Sequence, residues 1–222
     1  MKRTILALAF LIFTFAAVGQ PLTPTRTVNG KVVSSTVDPT GQIEVLPEAD
    51  YLGAVRFVLF GTADCEIHLF VDADASKRVR RLYWIQFEAY LPEHPTLRYS
   101  HHPAYAPVSM SGLPFYQRAR FGQSIEAPQP GSDAEKAFAL LKEKGYALPA
   151  ETVNVTYKHF MGADMRKEIL LIALEDMAIA GSSFEQLVKG GVVQSSWAPI
   201  ATQLLSRASR VFAVKLTSNT AK

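Results

Sequence analysis

Four side chains that combine ring surface with hydrogen-bonding groups alternate along one β-type run of the sequence, residues 79–91. They are Trp84, Gln86, Glu88 and Tyr90. Because successive side chains of a strand point to opposite faces, these four lie in one row on one face. Two rings beside an amide and a carboxylate are suited to a pocket for a small apolar or amphipathic molecule. The alternatives are a half-solvated outer face and a face covered by the proline-rich segment that follows.

A second group of chemically capable residues lies just downstream, where His94 and the adjacent His101 and His102 follow Glu88 in the chain. Imidazoles can ligate zinc or copper, or act as a base. Adjacent residues of an extended chain point to opposite sides, so the paired histidines do not easily share one metal. The sequence also lacks a His-Glu-x-x-His motif. We therefore predict ordinary loop histidines, no metal and no cofactor; an exported hydrolase or metal-dependent enzyme using loop 92–117 is the alternative.

Motifs of the common catalytic classes are missing from the sequence. It has no Gly-x-Ser-x-Gly elbow, no phosphate-binding glycine loop and no dinucleotide fingerprint. A Ser-His-Asp triad assembled from distant residues stays open, because such a site is spatial rather than sequential. We therefore favour a non-catalytic domain that binds a small apolar or amphipathic ligand, or a partner protein of the cell envelope.

Residues 1–19 have the three parts of a secretory signal peptide. Lys2 and Arg3 form a basic start, an apolar run follows over residues 5–18, and small residues precede Gln20. As a helix, that run covers about 21 Å, which is less than the roughly 30 Å hydrocarbon core of a membrane. We predict cleavage before Gln20 and export of a soluble chain to the periplasm or the extracellular space. An uncleaved N-terminal anchor is the alternative.

The charge of the mature chain is close to zero. The full sequence has 23 Lys and Arg against 20 Asp and Glu, and loss of Lys2 and Arg3 leaves a formal charge of +1. That balance gives no electrostatic case for nucleic acid or for an anionic membrane surface. No second segment is long and apolar enough to suggest a membrane span after cleavage. The single cysteine, Cys65, excludes an intrachain disulfide framework and is expected to be buried.

Alternating hydrophobicity and turn residues predict the strands. Three runs joined by short turns over residues 54–91 indicate an antiparallel meander, and residues 152–176 indicate a hairpin. Residues 20–50 are rich in proline and threonine and are interpreted as a linker or as edge strands. Residues 92–117 carry five prolines and are interpreted as a long irregular loop, in which only residues 97–100 resemble a strand.

Helix signals occur at three places. Ser132 and Glu135 have capping-box spacing and predict a helix over residues 133–144. The same spacing from Ser182 predicts a short second helix, and a last helix is expected to start near Ser196.

Sequential hairpins with helices set apart predict an α+β fold rather than a doubly wound one. We expect a single domain over residues 51–215, followed by a frayed tail, residues 216–222. In that domain we expect an antiparallel β-sheet, either flat or curved, with one mid-chain helix and the C-terminal helices packed on it.

Overall fold

The computed structural model of the chain describes residues 22–125 and 127–217. The predicted signal peptide, residues 1–19, and residues 218–222 of the predicted tail lie outside the described residues. Antiparallel strands dominate, with 48% strand and 16% helix. The predicted antiparallel sheet is therefore confirmed, and the fold belongs to an α+β or mainly-β class. Within the described ranges, no helix is long and apolar enough to cross a membrane.

The elements follow one another as hairpins with helices between them. In chain order the strands are β1 (Thr27–Asn29), β2 (Val32–Ser35), β3 (Gly41–Val45), β4 (Asp50–Leu59), β5 (Ala63–Ala73), β6 (Val79–Tyr90), β7 (Ala106–Met110), β8 (Leu113–Gln123), β9 (Glu151–Met161), β10 (Lys167–Asp176), β11 (Val188–Lys189), β12 (Val192–Val193) and β13 (Phe212–Leu216). The helices are α1 (Asp133–Glu143), α2 (Phe184–Leu187) and α3 (Trp197–Ala208), with a 3-10 turn at Met177–Ala180.

The larger sheet has the strand order β4-β5-β6-β10-β9-β8-β7, and every neighbouring pair is antiparallel. The predicted meander is confirmed as β4, β5 and β6, and the predicted hairpin as β9 and β10. Strand β6 therefore lies inside the sheet, between β5 and β10. Residues 82–88 of β6 are buried on both faces, and on one of these faces the buried side chains include the polar groups of Gln86 and Glu88.

The smaller sheet has the order β1-β2-β3-β13 and joins the two ends of the described chain. Its strands β1 to β3 come from the proline- and threonine-rich residues 20–50. Gly41 opens β3 with φ of +141°, and a Cβ there would overlap the Lys215 carbonyl oxygen of β13. Only glycine therefore allows β3 and β13 to approach at this point. A further two-stranded ribbon pairs β11 with β12.

Two apolar cores lie on opposite faces of the larger sheet. One core includes side chains of the smaller sheet and of α3, and it takes in Tyr83, Ile85 and Phe87 of β6. The other core lies under α1, where Ala137 and Leu141 pack against side chains of β5 and β6. Cys65 belongs to this second core and is fully buried, as predicted. Burial raises the pKa of its thiol, which disfavours the reactive thiolate.

The interpretation of residues 92–117 as one irregular loop is wrong in its second half. Residues 106–110 form β7, residues 113–117 begin β8, and residues 97–100 form no strand. Prolines concealed these strands. Pro107 lies on β7, which ends the sheet, and Pro114 precedes the residues of β8 that pair with β9. A missing N–H is tolerated at both places.

Serine side chains cap the starts of α1 and α2, and the cap of α2 lies one residue later than predicted. The Ser132 hydroxyl accepts the Glu135 N–H at 3.1 Å, as predicted, while the Glu135 carboxylate accepts from Gly131. At α2 the capping pair is Ser183 with Gln186, one residue later than the spacing from Ser182 predicts. Glutamine replaces glutamate in this role because its side-chain oxygen is an equivalent acceptor.

Candidate functional site

The four predicted site residues of β6 lie on the face of the larger sheet that α1 covers. Trp84, Gln86 and Glu88 are buried, and Tyr90 is half-buried. Trp84 belongs to the core beneath α1. The alternative of a half-solvated outer face is therefore wrong for Trp84, Gln86 and Glu88. The row runs from beneath α1 to the segment that connects β6 with β7.

That segment, residues 91–105, is called the covering loop, because its rings lie on the polar half of the same face. Tyr99 stacks on Tyr90 with ring centroids 4.2 Å apart, and His101 stacks on Tyr116 at 4.1 Å. The Tyr105 hydroxyl accepts a hydrogen bond from the Arg120 guanidinium at 2.6 Å. The loop thus contacts strands β6 and β8 through two stacked ring pairs and one hydrogen bond.

One arginine fastens the covering loop to the β9–β10 turn. The Arg166 guanidinium donates to the carbonyl oxygens of His94 at 2.6 Å and Leu91 at 2.9 Å. Nearby, the Tyr99 N–H donates to the Met165 carbonyl at 2.8 Å. Hydrogen bonds from a charged donor are stronger than neutral ones, so this fastening favours the closed loop.

Hydrogen bonds connect the row along the strand. The Trp84 indole Nε1–H donates to Gln86 Oε1 at 2.6 Å, and the Gln86 amide donates in turn to the Glu88 carboxylate. Side chains two residues apart on one strand face are neighbours, which makes such a relay possible. The relay satisfies the buried indole and amide groups and fixes the orientation of the Trp84 ring.

Glu88 lies opposite Glu168 of β10, and both carboxyls are buried. Lys158 of β9 contacts Glu168 with Nζ–O distances of 3.3 and 3.4 Å. Burial and the neighbouring charge of Glu168 raise the pKa of Glu88 to about 7. Burial also raises the pKa of Glu168, against the opposing effect of Lys158. The pair therefore holds a proton at a pH where an exposed carboxyl would have lost it.

A cavity of about 200 Å³ lies beside Trp84, between α1 and the sheet. Its apolar wall consists of Leu82, Trp84, Phe138, Ile172 and Leu174. Its polar side consists of Arg120, Asn154 and Thr156. The Thr156 hydroxyl already donates to the Asn154 side-chain oxygen at 3.4 Å, which leaves the amide N–H groups of Asn154 for another acceptor. The cavity thus joins ring surface to a small set of hydrogen-bond donors.

Arg120, Asn154 and Thr156 were missed by the sequence reasoning. They belong to β8 and β9, which pair with each other and reach Trp84 only across β10. The one signal available was the alternation of polar residues in β9, at Asn154, Thr156 and Lys158. Sequence alone does not say which strands are neighbours, and so it does not place these side chains near Trp84.

The histidines of the covering loop do not meet one another in the described chain. The His94 ring contacts the Gly61 carbonyl oxygen at 3.1 Å, and His102 Nδ1 accepts the Ala104 N–H. His101 is stacked on Tyr116. Across residues 22–125 and 127–217, no group of three or more metal-ligating side chains is assembled.

A second buried carboxylate, Glu66 of β5, lies on the opposite face of the sheet and is fully supplied with donors. It accepts from the Thr25 N–H and hydroxyl, the Arg26 N–H and guanidinium, and His68 Nε2, at 2.8 to 3.1 Å. Burial alone would raise its pKa. The hydrogen bonds from His68 and Thr25 and the charge of Arg26 instead lower the pKa to about 2.

No known protein family, characterised protein or solved structure is detectably similar to the chain.

Proposed function

We propose that this protein is an exported, non-catalytic domain that binds a small amphipathic ligand in the cavity beside Trp84. The observation that carries the proposal is the composition of the cavity, with an apolar wall on one side and Arg120, Asn154 and Thr156 on the other. Ligand pockets in proteins typically combine apolar walls with a few convergent polar groups in this way.

The packing of α1 over the sheet defines the size of the ligand. A cavity of about 200 Å³ is smaller than the roughly 300–1,000 Å³ typical of drug-sized ligands. The apolar part of the ligand lies against Trp84 and Phe138, which are held in place by the core and by the indole hydrogen bond to Gln86. A ligand of this kind has a short chain or a single ring.

The polar end of the ligand carries an acceptor. Arg120 is exposed at the cavity and uses one Nη2 hydrogen bond on Tyr105, which leaves other donors of its guanidinium for a ligand. Asn154 supplies amide donors next to it. A carboxylate or carbonyl head group matches these donors, and charge-assisted bonds to Arg120 favour the carboxylate.

Fluorescence of Trp84 tests the proposal directly. The chain has two tryptophans, so the Trp197→Phe background leaves Trp84 as the reporter. Titration with hexanoate is expected to give a saturable change in emission, with weaker binding of hexanol, which lacks the charge. Emission that does not saturate with either compound contradicts ligand binding at this cavity.

A matched pair of variants locates the head group. Arg120→Gln is expected to weaken hexanoate binding by about tenfold or more, because a hydrogen bond to a charged group contributes roughly 1.5–3 kcal/mol. Arg118→Gln removes the same charge two residues earlier on β8 without touching the cavity, and should leave affinity within about twofold. Equal effects of the two variants would show a general charge effect and no specific contact.

Export is tested at the N-terminus. Residues 1–19 have the pattern of a cleavable signal, and near-neutral charge after their removal fits a soluble ligand carrier. N-terminal sequencing of the chain recovered from the medium or the envelope of a secreting host is expected to begin at Gln20. Recovery of the intact leader in the membrane fraction would instead support an anchor.

A further inference from the structure

Arg26 is a buried cation, and most of its guanidinium N–H groups have no hydrogen-bond partner among the described residues. Its side chain is 7% exposed, and its guanidinium carbon lies 3.7 Å from the centroid of the Phe87 ring. The stacking fixes the plane of the guanidinium. A buried arginine held in one orientation is pre-organised to present its donors in a fixed direction.

Few of these donors meet a protein acceptor. A guanidinium has five N–H groups. Among the described residues, Nη1 contacts Glu66 at 3.1 Å, and Nε is buried with no partner at all. Leaving donors of a buried charge unpaired is costly, and the Nη donors that Glu66 does not take can bind an acceptor from outside the chain.

Arg26 lines a cavity of about 220 Å³ on the face of the sheet away from Trp84 and α1. The cavity wall is made by residues of the N-terminal segment, the loop before β3, and strands β4, β5 and β6. Its lining residues that matter here are Arg26, Arg56, Val37, Pro39 and Ala89, with the carboxylates of Asp38, Asp64 and Glu66.

The carboxylates of the wall already have cationic partners. Arg56 holds Asp64 in a two-bond pair at 2.9 and 2.7 Å, and Lys167 pairs with Asp38. Glu66 is saturated by the donors described above. Arg26 is therefore the arginine of the wall with more donors left unpaired, while the three carboxylates resist the entry of a second negative charge.

We propose that this cavity is a binding site for a small monocarboxylate, whose oxygens accept hydrogen bonds from the unpaired Nη donors of Arg26. The aliphatic part of the ligand contacts Val37, Pro39 and Ala89. The two oxygens of a carboxylate match the planar fork of guanidinium N–H donors, and one negative charge is repelled less by the neighbouring carboxylates than two would be. The site is separate from the cavity beside Trp84, and it does not depend on ligand binding there.

Propionate is the probe, and the side-chain Nε–H resonance of Arg26 in ¹⁵N NMR spectra is the readout. Because Nε is buried, its proton is protected from rapid exchange with water. Propionate is expected to shift this resonance to saturation in the millimolar range, and phosphate is expected to bind at least tenfold more weakly. Absence of a saturating shift overturns the site, and phosphate binding as tight as that of propionate overturns the monocarboxylate class.

Two valine variants test the location without disturbing the Arg26–Glu66 contact. Val37 lines the cavity and is 43% exposed, whereas Val58 is 41% exposed on β4 and lies outside it. Val37→Trp fills the mouth and is expected to abolish the propionate shift, while Val58→Trp keeps it. A shift retained in Val37→Trp overturns the proposal. Arg120→Gln, which alters the other cavity, leaves the Arg26 response unchanged, and loss of the response in that variant would equally overturn it.

Discussion

Two clusters around buried glutamates lie on opposite faces of the same central strands, and they behave in opposite ways. Glu66 accepts five hydrogen bonds from donors at 2.8 to 3.1 Å and has a pKa lowered to about 2. Glu88 accepts from the Gln86 amide beside a second buried carboxyl, and its pKa is raised to about 7. Both are nearly inaccessible to water. The supply of donors, and not burial itself, decides whether a buried carboxyl is an anchor or a titrating group.

The two clusters give opposite dependences of stability on pH. Glu66 has a folded pKa below its ordinary value of 4.5, so its contribution is present above that value and is lost as pH falls towards 2. Glu88 has a folded pKa above 4.5, so its contribution is present below 4.5 and is lost as pH rises through about 7. The Glu88–Glu168 pair therefore stabilises the folded chain in mild acid. The Glu66 cluster stabilises it at all pH values above strongly acidic ones.

Removal of the Glu66 charge has the largest expected effect. In Glu66→Gln, Arg26 and His68 lose a buried charged partner, and breaking such a pair costs about 3–5 kcal/mol in the free energy of unfolding. Urea denaturation at neutral pH measures the loss. Glu48→Gln is the control, because the Glu48 side chain is 99% exposed in its pair with Lys31. A loss no greater than in the control would show that the Glu66 cluster is not an anchor.

Removal of the Glu88 charge has the opposite expected sign. Glu88→Gln avoids burying a carboxylate at pH 8, so it is expected to raise the free energy of unfolding there by on the order of 1–3 kcal/mol. At pH 5, where the wild-type carboxyl is protonated, the two proteins should differ little. Thermal denaturation at both values measures the difference. Destabilisation of equal size at both values would mean that packing, and not charge, determines the effect.

The smallest expected effect concerns the covering loop. Glu88 faces Gln86 on its own strand, Glu168 and its partner Lys158 on β10 and β9, Tyr99 of the loop and Asp133 at the start of α1. Ionisation of Glu88 beneath Tyr99 attracts water and weakens loop closure, so the Tyr99 amide should exchange a few-fold faster at pH 8 than at pH 6 after correction for intrinsic rates. Hydrogen exchange followed by NMR measures this.

Glu88→Gln is the control for the loop experiment, since it removes the titrating group and keeps the Tyr90–Tyr99 stack. Its corrected exchange rate should not change between the two pH values. A rise of the same size in the variant would assign the opening to another group.

Much of the sheet could be predicted from the sequence, but only part of the candidate site. The meander β4–β6 and the hairpin β9–β10 are local, so alternation and turn residues were sufficient to find them. Strands β7 and β8 were concealed by Pro107 and Pro114, whose tolerance depends on sheet position. The row on β6 was found because four residues of one strand share a face, whereas Arg120, Asn154 and Thr156 join it from other strands.

The alternation of residues 84, 86, 88 and 90 by itself determined that these side chains share one face, because a strand has a period of two residues. The sequence also determined the single thiol and the capping of α1 by Ser132. Only the tertiary structure decided that β6 lies between β5 and β10, and that position placed Glu88 opposite Glu168. It also brought Thr25 and Arg26, some forty residues away in the chain, onto Glu66. Strand pairing and long-range donors set the local dielectric and the hydrogen bonds, and these set which buried glutamate anchors the fold and which one titrates.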